Sequence, residues 1–425
     1  TDANANATNY LNDLFDRQQT ITYADTKHTD FVYDKNSNLT RETQGNPTAP
    51  KVVDYDYDNL NNLIAKRFPA TPALDITYQY DLGSRLTLAR HTTSVNPLSI
   101  INLSYDNLNR VQTTTQTLNS LSPLTLTYSY DKVGNRKQVI YPSGKVVDYT
   151  YDAKDQMDLV KVNTATIADH AWDLLNRRQQ LDHMTTPVTR SSYAFDLADQ
   201  LVQVNNQLIG GANPVSRFDY FQYDNVGNRK KLDIRRGTSA VVTQNYTYNN
   251  IYELTQVTGS QSHTFQYDNV ANRTNVDGTT YVPNNLNQYS MVGAQAYLYD
   301  ASGNLMNDGV NTYTYDEENH LTGVTNAHAT YGYDGFNRRI LKTVNGVTTY
   351  FISDGDRGVE ERDGTGALLA DYVFGDSLDE VLTMSRGGQT YHYLHDGLGS
   401  VTDILNSTST VVESYNYDVY GQPNI

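Results

Sequence analysis

The sequence contains no cysteine. That excludes a disulfide framework, a zinc–thiolate cluster, an iron–sulfur centre and a cysteine nucleophile. It leaves the compartment open, because a large sheet can be stable outside the cell without disulfides. Positive charge is scarce: 32 Lys and Arg against 48 Asp and Glu give a formal charge of -16 at pH 7. A duplex nucleic-acid binder needs the opposite, a basic footprint. Acidity keeps an exported protein soluble but names no partner. No apolar run approaches the roughly 20 residues of a membrane helix. The polar start, Thr1 to Asn9, lacks the charged-then-apolar pattern of a signal peptide. A mature or excised piece would lack one too, so export stays open. Glycine-rich stretches precede strand-like rather than helix-like segments, which removes a phosphate-loop reading.

Among the aromatic residues, 1 Trp and 10 Phe stand against 35 Tyr. A dry core favours Leu, Val, Ile and Phe, since each buried tyrosine hydroxyl needs a hydrogen-bond partner. Tyrosine suits a surface that packs on one side and meets water or polar groups on the other. The background of Asn, Asp, Gly, Ser and Thr points to many strands joined by short turns. A length of 425 residues would suggest two to four domains, but a repeat protein grows by adding units instead.

Such a repeat is present. Tyr33-Asp34, Tyr57-Asp58, Tyr80-Asp81, Tyr105-Asp106, Tyr130-Asp131 and Tyr151-Asp152 are followed by the altered copies Trp172-Asp173 and Phe195-Asp196. Tyr223-Asp224, Tyr248-Asn249, Tyr267-Asp268, Tyr299-Asp300, Tyr315-Asp316 and Tyr333-Asp334 continue it, and the long gap after Tyr267 holds an eroded unit at Asn285-Leu286-Asn287-Gln288. A second ring often precedes by two positions, as in Tyr55/Tyr57, Tyr78/Tyr80, Tyr128/Tyr130, Tyr149/Tyr151, Phe221/Tyr223, Tyr246/Tyr248, Phe265/Tyr267, Tyr313/Tyr315 and Tyr331/Tyr333. That spacing puts both rings on one face of a strand and nearly opposite each other on a helix.

After the aspartate comes a turn, clearest in Asp131-Lys132-Val133-Gly134-Asn135-Arg136 and Asp224-Asn225-Val226-Gly227-Asn228-Arg229. Aspartate accepts backbone N–H bonds two residues on, and the following Gly or Asn tolerates a left-handed backbone. Asn107, Asn109, Asn176, Asn272 and Asn337 are expected at equivalent turn positions. Each unit therefore predicts two strands, a tight turn at the aspartate end and a looser connection elsewhere. Asn46-Pro47-Thr48-Ala49-Pro50, Phe68-Pro69-Ala70-Thr71-Pro72 and Ile209 to Pro214 read as surface loops.

One hairpin cannot bury its apolar face, but neighbours can share a sheet. Two strands per unit advance a sheet by roughly 10 Å, and some fourteen units give on the order of 140 Å. A closed ring of that circumference, roughly 45 Å across, is too wide for side chains to fill. The expected fold class is all-β: a repetitive hairpin ribbon coiled into a large hollow shell or barrel, with a propeller of paired units as the alternative.

The phrase Tyr-Asp-x-x-Gly-Asn-Arg at this spacing resembles the YD-repeat (RHS-repeat) family, from about Tyr23 onward. The run Tyr391 to Asp403, with Val411 to Gly421, is similar to the associated core region that ends such arrays. The resemblance implies a YD-repeat ribbon over 1–346 and a partial core region over 347–425. It implies an extracellular, secreted or surface-delivered shell that in bacterial members encloses a C-terminal polypeptide, often a toxin, and in animal relatives serves adhesion. The family's self-cleavage motif would lie beyond Ile425, which makes this chain a shell fragment or a product without cargo. No cleavage activity is expected of it.

Specific sites are weighed against structural roles. His392 and His395 flank Asp396, but their odd spacing sets them on opposite faces of a regular strand unless the strand bends. The other histidines, His28, His91, His170, His183, His263, His320 and His328, follow no ligand pattern. Asp356 to Asp363 clusters carboxylates without an EF-hand pattern, and reads as a charged hairpin with a Gly364-Thr365-Gly366 turn. The repeated aspartates read as turn formers, since an active centre needs one special constellation. Ring-to-ring packing is expected ahead of sugar stacking. Trp172 is expected to take the tyrosine's place in its unit. No catalytic, metal or cofactor-binding residue is assigned and no cofactor is expected. The partners expected are a polypeptide cargo or the remaining C-terminal segment, with a surface receptor or glycan under the alternative adhesion reading; nucleic acid and a transmembrane segment are not expected.

Overall fold

The computed structural model describes residues 1–45, 50–92, 98–186 and 188–424. Its described residues form 42 strands and one short 3-10 helix, Pro72–Leu74, so the all-β class holds. Within each unit of the repeat, the strand ending in the tyrosine pairs antiparallel with the strand leaving the turn. Ile76–Tyr80 with Leu86–His91 and Thr189–Phe195 with Leu201–Leu208 are examples.

Asp34 shows the turn. Its Oδ1 accepts the N–H groups of Asn36 and Asn38 at 2.8 and 2.9 Å, and its Oδ2 accepts Asn38 Nδ2 at 2.9 Å. Its own N–H donates to the Asn38 carbonyl at 3.0 Å. The side-chain bond from Asn38 leads in holding its carboxyl below the usual range. Where Arg85, Arg110, Arg177 or Arg338 replaces that asparagine, its Nε fills the same place. The third residue after the aspartate is left-handed, with φ 108° at Gly134, 90° at Gly227 and 64° at Asn109, Asn176 and Asn337. Asn107 and Asn272 stand elsewhere in their turns: Asn107 directly follows Asp106, and Ala271 takes the left-handed place before Asn272 at φ 64°. Asn272 instead donates Nδ2 to Asp268 Oδ2 at 2.8 Å.

The eroded unit keeps the turn with Asn284 as its aspartate, accepting from the N–H groups of Leu286 and Gln288 at 2.8 and 3.0 Å. The same turn recurs at Asp13, Asp363, Asp396 and Asn406, where no tyrosine precedes it.

The tyrosines owe their hydroxyl to a second regularity. Tyr80, Tyr105, Tyr151, Tyr248 and Tyr333 donate to the carbonyls of Leu63, Leu86, Arg136, Arg229 and Leu321 at 2.7 to 3.0 Å. Each acceptor stands five places after the aspartate of the preceding turn. The hydroxyl therefore stitches one hairpin to the one before, which phenylalanine cannot do. Trp172 keeps the bond with its indole, Nε1 donating to Met157 O at 2.8 Å.

Two expectations are corrected. Phe221 and Tyr223 do not share a face, because Gln222 adopts φ 54° and the inner place falls to Tyr220, 1% exposed, while Phe221 is 42% exposed. Phe68 is buried rather than part of a surface loop, with its N–H on Asp75 Oδ1 at 2.7 Å; Pro69 to Pro72 are exposed. Ile209 to Asn213 form the expected loop with Ile209 exposed, whereas Pro214 already opens the strand Pro214–Tyr223 and pairs with Gln207. In the Asn46 to Pro50 connection, Asn46 to Ala49 lie outside the described residues.

By contacts the chain divides into two compact units. The first comprises Thr1–Thr125, Phe265–Asp356 and Arg362–Ala367; the second comprises Leu126–Thr264, Arg357–Glu361 and Leu368–Ile425. In each, late ribbon lies along early ribbon in the same order of sequence. In the first unit Gln44 meets Asn319, Tyr78 meets Gly335 and Asn119 meets Tyr350, at separations of 275, 257 and 231 residues. In the second, Tyr141 meets Tyr372, Asn206 meets His395 and Gln261 meets Tyr417, at 231, 189 and 156. A partner lag that shortens as the chain advances is the signature of a ribbon wound beside itself.

Candidate functional site

The seam in the second unit is the most heavily furnished place in that unit. The ribbon supplies the hairpin Ala165–Trp172 and Arg178–His183, paired antiparallel. The late segment supplies Val381–Arg386 and Gln389–His395, also paired. Alternation along these strands sends one side chain in two toward the seam.

A buried ion pair joins Arg178 to Glu380. Nη2 donates to Oε2 at 3.0 Å, Nη1 pairs with Oε1, and Nη2 also reaches Ser377 Oγ at 3.1 Å. Burial alone would raise the Glu380 carboxyl, but the hydrogen bonds and charge of Arg178 prevail and hold it at about 2. Along the same seam Lys145 pairs with Asp371 and donates to Ser385 Oγ at 2.9 Å. Asn206 Nδ2 donates to His395 O at 3.0 Å, and the Tyr220 hydroxyl accepts the Gly397 N–H at 2.7 Å. Arg236 pairs with Asp403 and donates to Tyr415 O at 2.7 Å.

Four histidines are buried in this seam: His170, His183, His392 and His395. The rings of His183 and His392 stand edge to face with centroids 5.8 Å apart. Burial holds His183 down at about 3, with His392 and His395 adding to the effect, and holds His392 at about 4 against the Thr186 backbone. His170 sits at about 4, from burial and then the Arg178 charge. Burial also lowers His395, against the opposing pull of Glu380 and Asp396. All four are neutral imidazoles at pH 7.

The spacing of His392 and His395 predicts opposite faces, yet both are buried. A register shift between Leu394 and His395 bends the strand. His395 stands where a tyrosine stands before the Asp396 turn, and the same shift marks Tyr80 and Trp172. His170 and His183 carry no sequence signal, because their partners are some two hundred residues away. Among the described residues no three His, Cys, Asp or Glu are grouped to hold a metal.

The Asp356 to Asp363 carboxylates are dispersed among separate tasks. Glu360 accepts the Ser143 N–H at 2.8 Å, Glu361 accepts Tyr372 and Arg386 at 2.6 and 2.7 Å, and Asp363 organises its own turn with Gly366 at φ 90°. Trp172 lies stacked on His170, with centroids 6.4 Å apart, and under the Arg178 guanidinium at 5.7 Å.

A tyrosine-stitched hairpin ribbon, closed along buried seams in each unit, defines a β-shell class of protein. Comparison with known proteins agrees. The family described as the teneurin YD-shell matches residues 217–424. A tRNA3(Ser)-specific nuclease WapA of Bacillus spizizenii is 37% identical over 147 residues, 33% of this chain and 6% of that protein. The tRNA nuclease WapA of Bacillus subtilis is 28% identical over 304 residues, 70% of this chain and 11% of that protein. Among solved structures, the Photorhabdus luminescens Tc holotoxin pore gives a TM-score of 0.62 at 14% identity, over 99% of this chain and 30% of that one. A TcdB2–TccC3 crystal structure gives 0.60 at 13%, over 99% and 31%. The chain is thus similar to the YD-shell family over its C-terminal half and to WapA in sequence, and it shares its fold with the Tc-toxin structures. It spans about a tenth or less of these two WapA proteins and about a third of these solved chains.

Proposed function

We propose that this chain is a non-enzymatic wall that encloses an attached polypeptide and withholds it from proteases until release. The seams carry the reading: in each unit a later pass of ribbon is fastened along an earlier one by bonds such as Gln116 Nε2 to Ser353 O at 2.7 Å and Arg178 to Glu380. That favours a wall over separate lobes. We assign 1–346 to the YD ribbon and 347–425 to the associated core region, and place the protein outside the cell or on its surface. The Bacillus relatives are named as tRNA nucleases, and a toxic nuclease is the class of cargo such a wall suits. The test is limited proteolysis of a longer form that carries its C-terminal polypeptide. We expect that polypeptide to resist until the wall unfolds; cleavage at the rate of the isolated polypeptide would overturn the reading.

A second reading, adhesion to a receptor or glycan, rests on the turn tips. Leu82, Leu174 and Leu197 are 106%, 94% and 109% exposed, more apolar surface than a free wall needs. Cell binding abolished by Leu→Ser changes at these tips would favour it; unaltered binding would remove it.

A further inference from the structure

The four seam histidines take no part in the wall function just proposed. They are costly where they are. His170 Nε2, His183 Nδ1 and His395 Nε2 are buried without a hydrogen-bond partner among the described residues, at sites where Leu or Phe would pack without that penalty. They are also brought together across the seam: His170 and His183 from the ribbon hairpin, His392 and His395 from the late hairpin. Each side of this contact thus holds imidazoles that become cations when they take up a proton.

We propose that this cluster is an acid-sensitive clasp, in which proton uptake by the packed imidazoles drives the late hairpin 381–395 off the ribbon hairpin 165–183. This holds whether or not the wall encloses a cargo.

The charges around the cluster set the outcome. Facing His170 are Arg178, Glu380 and Asp376; facing His183 are Glu380 and the other three histidines; facing His395 are Arg178, Glu380 and Asp396. Asp182, beside His183 in sequence, is taken by Arg190 at 2.7 and 2.8 Å. Glu380 is the carboxylate best placed to balance a new cation, but both its oxygens are held by Arg178. His392 has only the Thr186 backbone to favour its charged form. Protonation of both His183 and His392 would therefore set two cationic rings, their centroids 5.8 Å apart, in a buried contact. Protons have a path. His392 lines a cavity of about 280 Å³ with Lys145, Thr186 and Ser385, and His395 lines one of about 230 Å³ with Arg178 and Glu380.

The sign follows from the lowered values. The open form binds protons at the ordinary histidine value of 6.5, the closed form only near 3 to 4. As pH falls through 6.5 the open form gains protons first, and each of these two histidines favours opening about tenfold per pH unit. Together they amount to about a hundredfold per unit until the closed form also protonates.

Hydrogen exchange of the intact chain between pH 8 and 4, corrected for intrinsic rates, reads this by region. Trp172 emission adds a second signal, because a protonated His170 stacked on it quenches. Amides of 165–183 and 381–395 are expected to open at least a hundredfold more at pH 5 than at pH 7. Those of Val111–Leu118 in the first unit should change less than threefold. The His183→Gln and His392→Gln variants should each move the opening midpoint down by half a pH unit or more, with His91→Gln as the unmoved control. Equal acid opening in the two regions, or midpoints that the His183 and His392 changes leave in place, would overturn the clasp. If a variant does not fold at neutral pH, the regional contrast in the unaltered chain decides alone.

Discussion

The two units fasten late ribbon to early ribbon with different chemistry. In the first, the innermost bonds are uncharged: Tyr78 OH donates to Gly335 O at 3.0 Å, Asn119 Nδ2 to the Tyr350 hydroxyl at 3.1 Å, and Gln116 exchanges two bonds with the Ser353 backbone. Ion pairs lie beside them, Lys51 with Asp300 at 3.1 Å and Lys66 with Glu318 at 2.6 Å. His91, also buried, has a partner in Ser99 Oγ at 3.0 Å. In the second unit the fastenings are Lys145–Asp371, Arg178–Glu380 and Arg236–Asp403, packed beside four histidines. One repeat therefore closes by two kinds of seam. Amide and hydroxyl bonds are indifferent to pH and lose modestly on truncation. Buried ion pairs and imidazoles respond to protons and lose heavily when one partner goes.

The largest break should come at Arg178. Arg178→Met leaves Glu380 buried without its counter-ion, at a cost of about 3–5 kcal/mol. Gln116→Leu in the first unit strands two backbone groups and should cost about 1–3 kcal/mol. Urea midpoints for the pair, with hydrogen exchange to locate the opening, check the contrast; equal losses would erase it. Trp172→Ala comes next, at about 2–4 kcal/mol, below a fully buried tryptophan because the ring is only half-buried. Trp172→Tyr should stay within about 1 kcal/mol, because a tyrosine hydroxyl serves the carbonyl five places after the preceding aspartate throughout the repeat.

Acid should separate the seams too. His183 and His392 titrate from 6.5 when exposed to about 3 and 4 when buried. Each therefore removes about 1.4 kcal/mol of stability per pH unit as pH falls from 6.5 toward 4. Glu380 acts lower: its stabilisation is complete above its ordinary value of 4.5 and drains as pH approaches 2. A two-step loss of the second seam, in a chain whose first seam stays closed through the upper step, is the expected acid titration by regional hydrogen exchange.

Much of the fold was legible because it is local. The aspartate, the left-handed residue three places on and the tyrosine before it all lie within one turn, so Tyr80-Asp81 or Asp224 to Arg229 declares its structure unaided. The eroded copy at Asn285 to Gln288 could be found for the same reason, although its turn starts one residue earlier, at Asn284. Where a single residue was inserted, at Gln222, alternation misassigned Phe221 for Tyr220. The seam was not legible. Arg178 and Glu380 stand 202 residues apart, and nothing near either announces the other. His170 and His183 looked like scattered histidines because the periodicity that reveals strands says nothing about which later pass will cover them.

The smallest effect tests the stitching that both units share. Tyr80→Phe removes only a hydroxyl from the Leu63 carbonyl, 3.0 Å away, and should cost about 0.5–1.5 kcal/mol. The reverse change is more telling. Phe195 is an altered copy whose ring lies under Arg177 at 4.4 Å, just as Tyr105 lies under Arg85 at 4.8 Å. Tyr105 reaches Leu86 O at 2.7 Å. The matching acceptor for residue 195 is the carbonyl of Arg178, five places after Asp173. Phe195 also borders the 230 Å³ cavity beside Arg178 and Glu380, so a hydroxyl has room. Phe195→Tyr should therefore stabilise the second unit by about 0.5–1 kcal/mol, read as a higher urea midpoint. A lower midpoint would mean that the hydroxyl bond belongs to particular tyrosines and is not a rule of the repeat.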